Sequence, residues 1–354
     1  MSREPQESSV SGRHRAGAID PLSPNVLITA GSRRVPLVQA FQRALALRGG
    51  GRVIVTDVNA LSPAVYAADA AFRVPLASDP GYIHEILTIA SAERVGLVVP
   101  TIDDELPLFS AAIPQFEAAG ARVAVSPLST TLLCNDKYAT CCALAQKGIA
   151  AARSFLPGML TSPSFPLFVK PRSGRGGVSA FPIRDQRELD FFLSYVEDPL
   201  IQDYLAGPEF TIDMLCDFAG RPLAIVPRER VVIRAGVIDR GRTVKDPSLI
   251  ALAEACAAAL PFAGAVNVQC RVVDGRPVVF EINPRFSGGI PLTIEAGADF
   301  PAMLVRLAAG QRVAPAIGRF RDNVWMTSYE TSLFLDAGRV RLDRHEPAAV
   351  GEVA

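Results

Sequence analysis

Apolar runs separated by polar turns predict that the folded chain begins with an alternating α/β unit. A short apolar run at residues 26–30 indicates a buried strand, and a polar turn at 31–34 follows it. A helix is predicted at 35–47, and a second strand at 52–57 ends in Asp57. Further strands and helices continue the alternation at 71–74, 81–92, 96–100, 105–119 and 122–125. Such alternation is typical of a parallel sheet that helices cover on both faces.

The turn after the first strand differs from that of a dinucleotide site. Strand, turn, helix, strand and Asp57 follow one another as in a dinucleotide-binding unit, which carries a GxGxxG turn. Here the turn is Gly31-Ser32-Arg33-Arg34, with one glycine. A dinucleotide-dependent oxidoreductase is therefore a weak alternative.

The acidic segment Thr101–Glu105 follows the strand at 96–100. Open α/β sheets bind ligands at this edge, which favours substrate contact. Acidic residues also stabilise the start of a helix, which favours a purely structural role. The sequence leaves both interpretations open with about equal weight.

The middle of the chain pairs a lysine-ended strand with a glycine-rich loop. A helix is predicted at 130–147, carrying Asp136 and Lys137, and a strand at 165–171 contains Lys170. The loop that follows, 172–179, has three glycines and two arginines. Backbone N–H groups of such a loop can surround phosphates, although a glycine-rich loop alone is more often a flexible turn. The flanking lysine and arginines favour a phosphate site, and the loop lacks the Walker A pattern.

Four more elements precede the C-terminal part: a helix at 185–196 and strands at 200–205, 209–216 and 223–227. Arginines at 228, 230 and 234 follow the last of these strands, and alone they would be typical of a solvated edge strand. A helical segment is predicted from Lys245 to about Leu260.

Two alternating segments at 266–272 and 278–283, with Asp274-Gly275 between them, predict a β-hairpin. Their apolar side chains, Val278, Phe280 and Ile282 in the second strand, are expected to face one core. That requires Gln269 opposite Glu281 and Asn267 opposite Asn283. A plain two-residue turn would shift the pairing by one residue and place the apolar side chains of the two strands on opposite faces. A three-residue loop or a bulge is therefore predicted.

This register gathers Asn267, Gln269, Glu281 and Asn283 on one polar face. An ordinary solvated hairpin would carry Thr, Lys and Glu there. Amide and carboxylate oxygens suit a magnesium ion that is shared with substrate phosphates, and we favour that interpretation.

Composition restricts the function classes. Hydrophobic residues make up 49% and the formal net charge is zero, which indicates neither a nucleic-acid partner nor an acidic membrane surface. The six cysteines form no CxxC pair, and the three histidines are isolated, so the chain is expected to be cytoplasmic with reduced thiols. No apolar run is long enough to span a bilayer. Residues 1–24 are expected to form a disordered tail.

The Asn-Val-Gln and Glu-Ile-Asn-Pro-Arg segments of the hairpin, at 267–269 and 281–285, resemble those of ATP-grasp ligases. The chain is most similar to single-module relatives of the carbamoyl phosphate synthetase large subunit, over about residues 25–310. The Asn-Asp-Lys, Val-Lys-Pro and Gln-Asp-Tyr-Leu-Ala-Gly-Pro-Glu segments support the resemblance. It implies an α/β and α+β fold with a Rossmann-like pre-ATP-grasp domain (25–127), a linker helix and lid (128–205) and a catalytic subdomain (206–340). A frayed C-terminus is expected at 341–354.

The resemblance also implies an ATP site. Lys137 and Lys170 would contact the phosphates, and Glu209 would reach the ribose. Residues of the lid loop would close over the phosphates: Ser173, Gly174, Gly176, Gly177 and Val178. Residues of one strand end would line the adenine slot: Gln202, Asp203, Tyr204 and Leu205.

Metal ligands and catalytic groups follow from the same resemblance. Gln269, Glu281 and Asn283 would hold Mg²⁺ or Mn²⁺. Arg285 would stabilise the transferred phosphate, with Arg228 or Arg230 as helpers. Gln269 replaces a carboxylate that many family members carry, which matches the carbamoyl phosphate synthetase branch.

The implied function is that of a carboxylate–amine ligase. ATP would convert a carboxylate to an acyl phosphate, which an amine such as an amino acid would then attack. Alternatives are a carboxylase or kinase-like enzyme of the same fold and a non-catalytic nucleotide-binding protein. With one ATP-grasp module and no glutaminase domain, carbamoyl phosphate synthesis by this chain alone is not expected. Small molecules are the expected partners, and the resemblance also allows a homodimer.

Overall fold

The computed structural model describes residues 24–174 and 176–336. The tail predicted at 1–24, apart from its last residue, and the frayed end predicted at 341–354 lie outside these residues. Within the described chain, no helix combines the length and the apolar character needed to cross a bilayer.

The N-terminal part is a parallel five-stranded sheet with strand order β3-β2-β1-β4-β5. Its strands are β1 (Asn25–Ile28), β2 (Val53–Asp57), β3 (Ala70–Arg73), β4 (Val95–Val99) and β5 (Arg122–Val123). Its helices are α1 (Val35–Ala46), α2 (Pro63–Ala67), α3 (Tyr82–Ala92), α4 (Leu106–Ala111) and α5 (Ile113–Ala118). The central strands β2 and β4 are buried along their whole length, which explains their unbroken apolar runs.

The helix predicted at 105–119 is divided in the structure. A 3₁₀ turn spans Asp103–Glu105, and α4 and α5 meet at Ala112. Pro114 lies in the first turn of α5, where its missing N–H costs no helical hydrogen bond. The prediction of one continuous helix was therefore wrong, because a second helix begins next to Pro114.

Two helices connect this sheet to the next: α6 (Leu128–Asn135) and α7 (Lys137–Gln146). The sequence predicted one helix at 130–147. Asp136 interrupts it, because its backbone is extended and its side chain accepts a hydrogen bond from the N–H of Ala139. Asp136 therefore caps α7, which places Lys137 at the first helical position.

A small antiparallel sheet follows, with strand order β6-β9-β7-β8. It consists of β6 (Ser154–Phe155), β7 (Leu167–Pro171), β8 (Phe181–Ile183) and β9 (Pro199–Asp203), with helix α8 (Gln186–Tyr195) between β8 and β9. The glycine-rich loop connects β7 to β8.

The C-terminal part is a six-stranded antiparallel sheet with strand order β14-β13-β10-β11-β12-β15. Its strands are β10 (Glu209–Cys216), β11 (Pro222–Arg234), β12 (Val237–Thr243), β13 (Gly264–Val273), β14 (Arg276–Asn283) and β15 (Trp325–Thr327). The associated helices are α9 (Pro247–Ala259), α10 (Ile290–Glu295) and α11 (Phe300–Ala308).

Two predictions fail in this sheet. β11 extends through Arg234 instead of ending at Pro227, and β12 was not predicted. Polar residues marked the end of the strand in the sequence, but Arg228 pairs with β10 and β12 inside the sheet. The strand accommodates its first two arginines because Arg228 pairs with Asp213 and Arg230 pairs with Glu209, both on the neighbouring β10.

The five-stranded and six-stranded sheets share one hydrophobic core. Phe41 of α1 lies edge-on to Phe286, with ring centroids 6.0 Å apart. This packing places the carboxyl ends of the parallel strands next to the loop that follows β14, so residues from both parts meet there.

Candidate functional site

The hairpin β13–β14 has the predicted register. Asn267 pairs with Asn283, and Gln269 pairs with Glu281. The turn is a plain two-residue Asp274–Gly275 turn, and a bulge between the Gln269–Glu281 and Cys270–Val279 pairs corrects the parity. Of the two predicted solutions, the bulge is the one adopted.

The bulge changes which side chains enter the core. Val279 is fully buried and packs in the core with Ile282, whereas Val278 and Phe280 are half-buried. The prediction that Val278 and Phe280 face the core was therefore wrong. The extra residue shifts the pairing by one, so the side chains that precede Glu281 point to the opposite faces of the sheet from those predicted.

The polar face of this hairpin is internally hydrogen-bonded. The Asn283 amide donates to Glu281 Oε1 at 3.1 Å and to Asn267 Oδ1 at 3.3 Å. The Asn267 amide donates to the carbonyl oxygens of Asn283 and Arg285. Asn267, which the sequence left out of the predicted metal ligands, thus holds the end of β14 in place.

Gln269, Glu281 and Asn283 offer only oxygen ligands to a cation. No group of three His, Cys, Asp or Glu side chains suited to a metal occurs in the described part of the chain, so the amides are essential to any site here. One carboxylate with amide oxygens fits a hard divalent ion that takes its other ligands from phosphates and water. The residues therefore fit magnesium held together with a nucleotide.

Lys170 approaches the same strand from β7. It is 6% exposed, and its Nζ donates to the carbonyl oxygen of Phe280 at 3.3 Å. The ammonium group also lies 5.1 Å from the centre of the Phe280 ring. Burial lowers the pKa of Lys170, and the nearby charge of Lys137 acts in the same direction, while Glu281 opposes both.

Lys137 connects α7 to the glycine-rich loop. Its Nζ donates to the carbonyl oxygen of Gly174 at 2.7 Å. Its backbone N–H donates to the carbonyl oxygen of Arg172. Arg172 also pairs with Asp136 at 2.5 Å. The start of α7 therefore fixes the beginning of the loop.

The loop itself is open to solvent. Gly174, Gly176 and Gly177 have φ values of +98°, +75° and +66°, a region that favours glycine. Ser173 and Val178 are exposed as well. The described loop residues therefore carry little packing of their own and are accessible to a ligand.

The predicted adenine-slot residues differ in exposure. Gln202 is buried and donates to Ser154 Oγ at 2.9 Å, so its side chain is engaged inside the fold. Asp203 pairs with Arg153, Tyr204 is 41% exposed, and Leu205 is half-buried. Of these four side chains, that of Gln202 is the most buried.

Glu209 lies between two arginines. Its two oxygens each accept a 2.6 Å hydrogen bond, one from Arg230 and one from Arg271. The Arg230 side chain is 7% exposed and also reaches Gln269 Oε1 at 3.4 Å. Burial lowers the pKa of Arg230, and the carboxylates of Glu209 and Glu281 oppose this shift. Arg230 thus joins the predicted ribose contact to a predicted metal ligand.

Arg285 is held by the N-terminal part of the chain. Its Nε and Nη2 donate to Asp103 Oδ2 at 2.9 and 2.6 Å, and Nη2 also reaches Asn283 Oδ1 at 3.1 Å. Arg34 reinforces the junction by donating to the carbonyl oxygens of Thr101 and Phe286. The sequence left Asp103 open between substrate contact and a structural role at a helix start, and it gave no indication of the partner.

Glu105, in the same acidic segment, points inward. Its carboxyl oxygens accept hydrogen bonds from the hydroxyls of Thr29 and Tyr82 and from the backbone N–H groups of Thr101 and Ile102. Full burial raises its pKa, although all four hydrogen bonds oppose this shift. Within one acidic segment, Glu105 stabilises the fold and Asp103 faces the site.

Arg228 is buried within the sheet. It is 1% exposed and forms a two-bond ion pair with Asp213, at 2.7 and 3.0 Å. It also donates to Ser287 Oγ at 2.9 Å, and its Nη1 is buried without a hydrogen-bond partner. The interpretation that the arginines after residue 227 lie on a solvent-exposed edge strand was therefore wrong for Arg228. Asp213 was missed, although an acid within the apolar strand Phe210–Cys216 is itself a signal for a buried ion pair.

The dinucleotide-like position at the end of β2 is occupied by the protein itself. Asp57 accepts hydrogen bonds from the backbone N–H groups of Ser32 and Asn59, at 2.6 and 2.8 Å. Its carboxylate is thus used to hold the β1–α1 turn, in agreement with the missing GxGxxG.

Two family profiles match separate parts of the chain. Residues 195–331 match the family described as "ATP-grasp in the biosynthetic pathway with Ter operon". Residues 26–124 match the "PylC-like, N-terminal domain". The two matched segments include the six-stranded and five-stranded sheets, respectively.

The similar curated proteins include the carbamoyl phosphate synthase large chain of Thermus thermophilus, 28% identical over 259 residues. The match covers 66% of this chain and 25% of that protein, so the chain spans about a quarter of that relative's length. The arginine-specific large chain of Bacillus subtilis is 27% identical over 161 residues, covering 41% of this chain and 15% of that protein.

Solved structures share the fold at low identity. The L-amino acid ligase of Bacillus licheniformis superposes with a TM-score of 0.66 at 20% identity, over 85% of this chain and 78% of that chain. The biotin carboxylase domain of Hydrogenobacter thermophilus 2-oxoglutarate carboxylase, solved with MgADP and bicarbonate, gives 0.67 at 16% identity. That match covers 86% of this chain and 73% of that one.

Proposed function

Because the chain belongs to the ATP-grasp family and has a PylC-like N-terminal domain, we propose that it is an ATP-dependent carboxylate–amine ligase. It would release ADP and phosphate while joining a small carboxylic acid to an amine. The observation that carries this proposal is the meeting of Lys170 with the strand that bears Glu281.

The chemistry needs a site that collects positive charge around phosphates. Lys137 and Lys170 face the glycine-rich loop and β14, where they would pair with the phosphate oxygens of ATP. Gln269, Glu281 and Asn283 would hold Mg²⁺, or Mn²⁺ in its place. The bound ion would neutralise charge on the transferred phosphoryl group.

A carboxylate is a poor electrophile, so it must be activated before an amine can attack it. Transfer of the γ-phosphoryl group to a carboxylate oxygen gives an acyl phosphate. Attack by the amine at the acyl carbon then expels phosphate. Arg285, at the carboxyl end of β14, would stabilise the negative charge that develops on the phosphoryl oxygens.

Arg228 and Arg230 would act differently from Arg285. The Arg228 side chain lies under Ser287 and pairs with Asp213, so it would support the loop after Arg285 and not contact substrate. Arg230, with Glu209, borders the proposed ribose region. The segment Ser287–Pro291 would border the acceptor, where glycines allow close approach to the backbone.

The relatives favour small-molecule substrates. One solved relative is named an L-amino acid ligase, and the curated relatives are named carbamoyl phosphate synthases. Since the chain spans about a quarter of the first of those curated relatives, we extend to it the activation of a carboxylate and not the relatives' full activity.

The test is phosphate and ADP release from Mg-ATP by the full chain across a panel of amino acids and small carboxylic acids. We expect release that depends on a carboxylate and an amine together. Glu281→Ala should abolish it, whereas Glu254→Ala, at an exposed position on α9, should not. Release that survives Glu281→Ala would refute the site assignment. Release that requires bicarbonate alone would indicate a carboxylase instead.

A further inference from the structure

The tip of hairpin β11–β12 touches the glycine-rich loop. Its two-residue turn consists of Ala235 and Gly236, with φ values of +48° and +73°. A Cβ atom at Gly236 would lie 2.5 Å from the backbone C and O atoms of Gly176. The two backbones are therefore as close as a glycine permits.

The hairpin is irregular between its base and its tip. The pairing of β11 with β12 shifts between Arg230 and Val232 and again between Val232 and Ile233. Such irregularities increase the twist of a hairpin and change its direction. Beyond this bend, Val237 packs against Gly288, where an added Cβ would lie 2.7 Å from Val237 Cγ1. The tip thus contacts the glycine-rich loop on one side and the loop after Arg285 on the other.

One side chain joins this tip to the candidate metal site. Arg230 Nη2 donates to the carbonyl oxygen of Gly236 at 2.6 Å. Its Nη1 donates to Glu209 at 2.6 Å and to Gln269 at 3.4 Å. A single buried guanidinium therefore links the turn that meets the loop with a proposed ribose contact and a proposed metal ligand.

We infer that the β11–β12 turn is a clasp for the glycine-rich loop and that Arg230 is a positioning residue that couples loop position to the Mg–nucleotide site. This inference rests on the proposed function, because it assumes that a nucleotide binds under the loop. Lys137 holds Gly174 at the start of the loop, whereas Gly176 and Gly177 are exposed and Gly176 meets Gly236. Contact with Gly236 therefore acts on the middle of the loop.

The coupling has a physical origin in geometry. If the loop settles on the turn, Gly236 is fixed, and its carbonyl oxygen holds one end of the Arg230 guanidinium. The other end then holds Glu209 and Gln269 in place for the nucleotide and the metal. Disturbing the turn should weaken Mg–ADP binding although no ligand group has been altered.

Gly236→Ala tests this coupling, and Gly275→Ala is its matched control. Both glycines occupy the second position of a two-residue hairpin turn, with φ values of +73° and +75°. Both substitutions therefore impose the same backbone strain, but a Cβ at Gly275 meets nothing within 4 Å. We expect Gly236→Ala to weaken Mg–ADP binding by about tenfold, within the usual range of coupling between sites, and Gly275→Ala to leave it unchanged.

A double-mutant cycle identifies Arg230 as the connection. In the Arg230→Ala background, Gly236→Ala should have a much smaller effect on Mg–ADP affinity. Tryptic cleavage within residues 172–179, which contain two arginines, should be suppressed by Mg–ADP in the wild type and in Gly275→Ala but not in Gly236→Ala. A merely structural role would lower thermal stability and leave the two substitutions additive.

The outcomes separate the inference from the proposed function. If the wild type does not bind Mg–ADP, the proposed function fails. If the wild type binds but Gly236→Ala and Gly275→Ala behave alike, the clasp is refuted and the proposed function stands. Additive effects of Arg230→Ala and Gly236→Ala would refute the role of Arg230. Where Arg230→Ala lowers the melting temperature strongly, Arg230→Lys takes its place in the cycle.

Discussion

Arg285 and Asp103 form an ion pair across 182 residues of sequence, with both Nε and Nη2 of the arginine donating to one carboxylate oxygen. The pair joins the carboxyl edge of the parallel sheet to the end of β14. It also neutralises and orients the arginine that we expect to stabilise the transferred phosphate. Both parts of the chain thus contribute to the geometry of one proposed catalytic group.

Replacing Asp103 by Asn should reduce turnover more than nucleotide affinity. The neutral amide cannot hold Arg285 as firmly, so the arginine loses its orientation at the point where charge develops. We expect the turnover rate to fall by about tenfold or more, which is typical when a catalytic group is misplaced. Initial rates and ADP titrations measure the two effects separately.

The control is Glu117→Gln, which removes an exposed carboxylate from α5. It should change neither quantity. An equal loss of turnover in both variants, or a loss confined to ADP affinity, would contradict the role of Asp103.

Replacing Asp213 by Asn should destabilise the fold strongly. Arg228 would remain buried with its charge uncompensated, and breaking such a buried pair costs about 3–5 kcal/mol of unfolding free energy. Urea unfolding measures the change. The exposed pair Arg321–Glu295 provides the comparison, since Glu295→Gln should cost about 1 kcal/mol or less.

Nucleotide affinity should decline at alkaline pH because of Lys170. Burial lowers the pKa of this lysine, so its proton is lost at lower pH than from an ordinary lysine, whose pKa is about 10.4. Affinity should be retained while Lys170 is protonated and lost as the pH rises through the lowered pKa. ADP titrations across the alkaline range measure this loss.

Lys170→Arg preserves the charge at every accessible pH and should abolish this alkaline decline, even if its affinity is lower throughout. An identical alkaline decline in the wild type and in Lys170→Arg would assign the titration to another group.

Magnesium should bind mainly together with the nucleotide. Glu281 is the one carboxylate among the three proposed ligands, so phosphates must supply much of the negative charge. Gln269→Glu should therefore raise the affinity for Mn²⁺ in the absence of nucleotide, and Glu281→Gln should lower it in its presence. Paramagnetic resonance of free Mn²⁺ measures both, and a wild type that binds Mn²⁺ equally well with and without ADP would contradict this account.

The sequence predicts strand pairing well where apolar and polar residues alternate strictly along both strands. The pairing of Gln269 with Glu281 follows from the requirement that apolar side chains share a core face, and even the need for a bulge could be inferred. The position of the bulge could not, because Val279 and Phe280 are both apolar and either can be buried. The local pattern therefore predicted the pairing of Gln269 with Glu281 but not the pairing of the residues of β14 that precede Glu281.

Long-range pairings lie beyond such reasoning. Nothing in the Thr101–Glu105 segment indicates that Asp103 meets Arg285 while Glu105 turns inward. Arg228 appeared to end a strand because its partner, Asp213, lies on a neighbouring strand. Only the folded chain shows that Arg228 and Arg230 of β11 pair with carboxylates of β10.

The most direct test of the proposed activation step is an isotope experiment. The carboxylate substrate that gives the fastest phosphate release is labelled with ¹⁸O in both carboxylate oxygens, and the released phosphate is analysed by mass spectrometry. An acyl phosphate transfers one labelled oxygen to each phosphate, and this is the expected result. Phosphate without label would show that the carboxylate is not phosphorylated and would contradict the ligase mechanism.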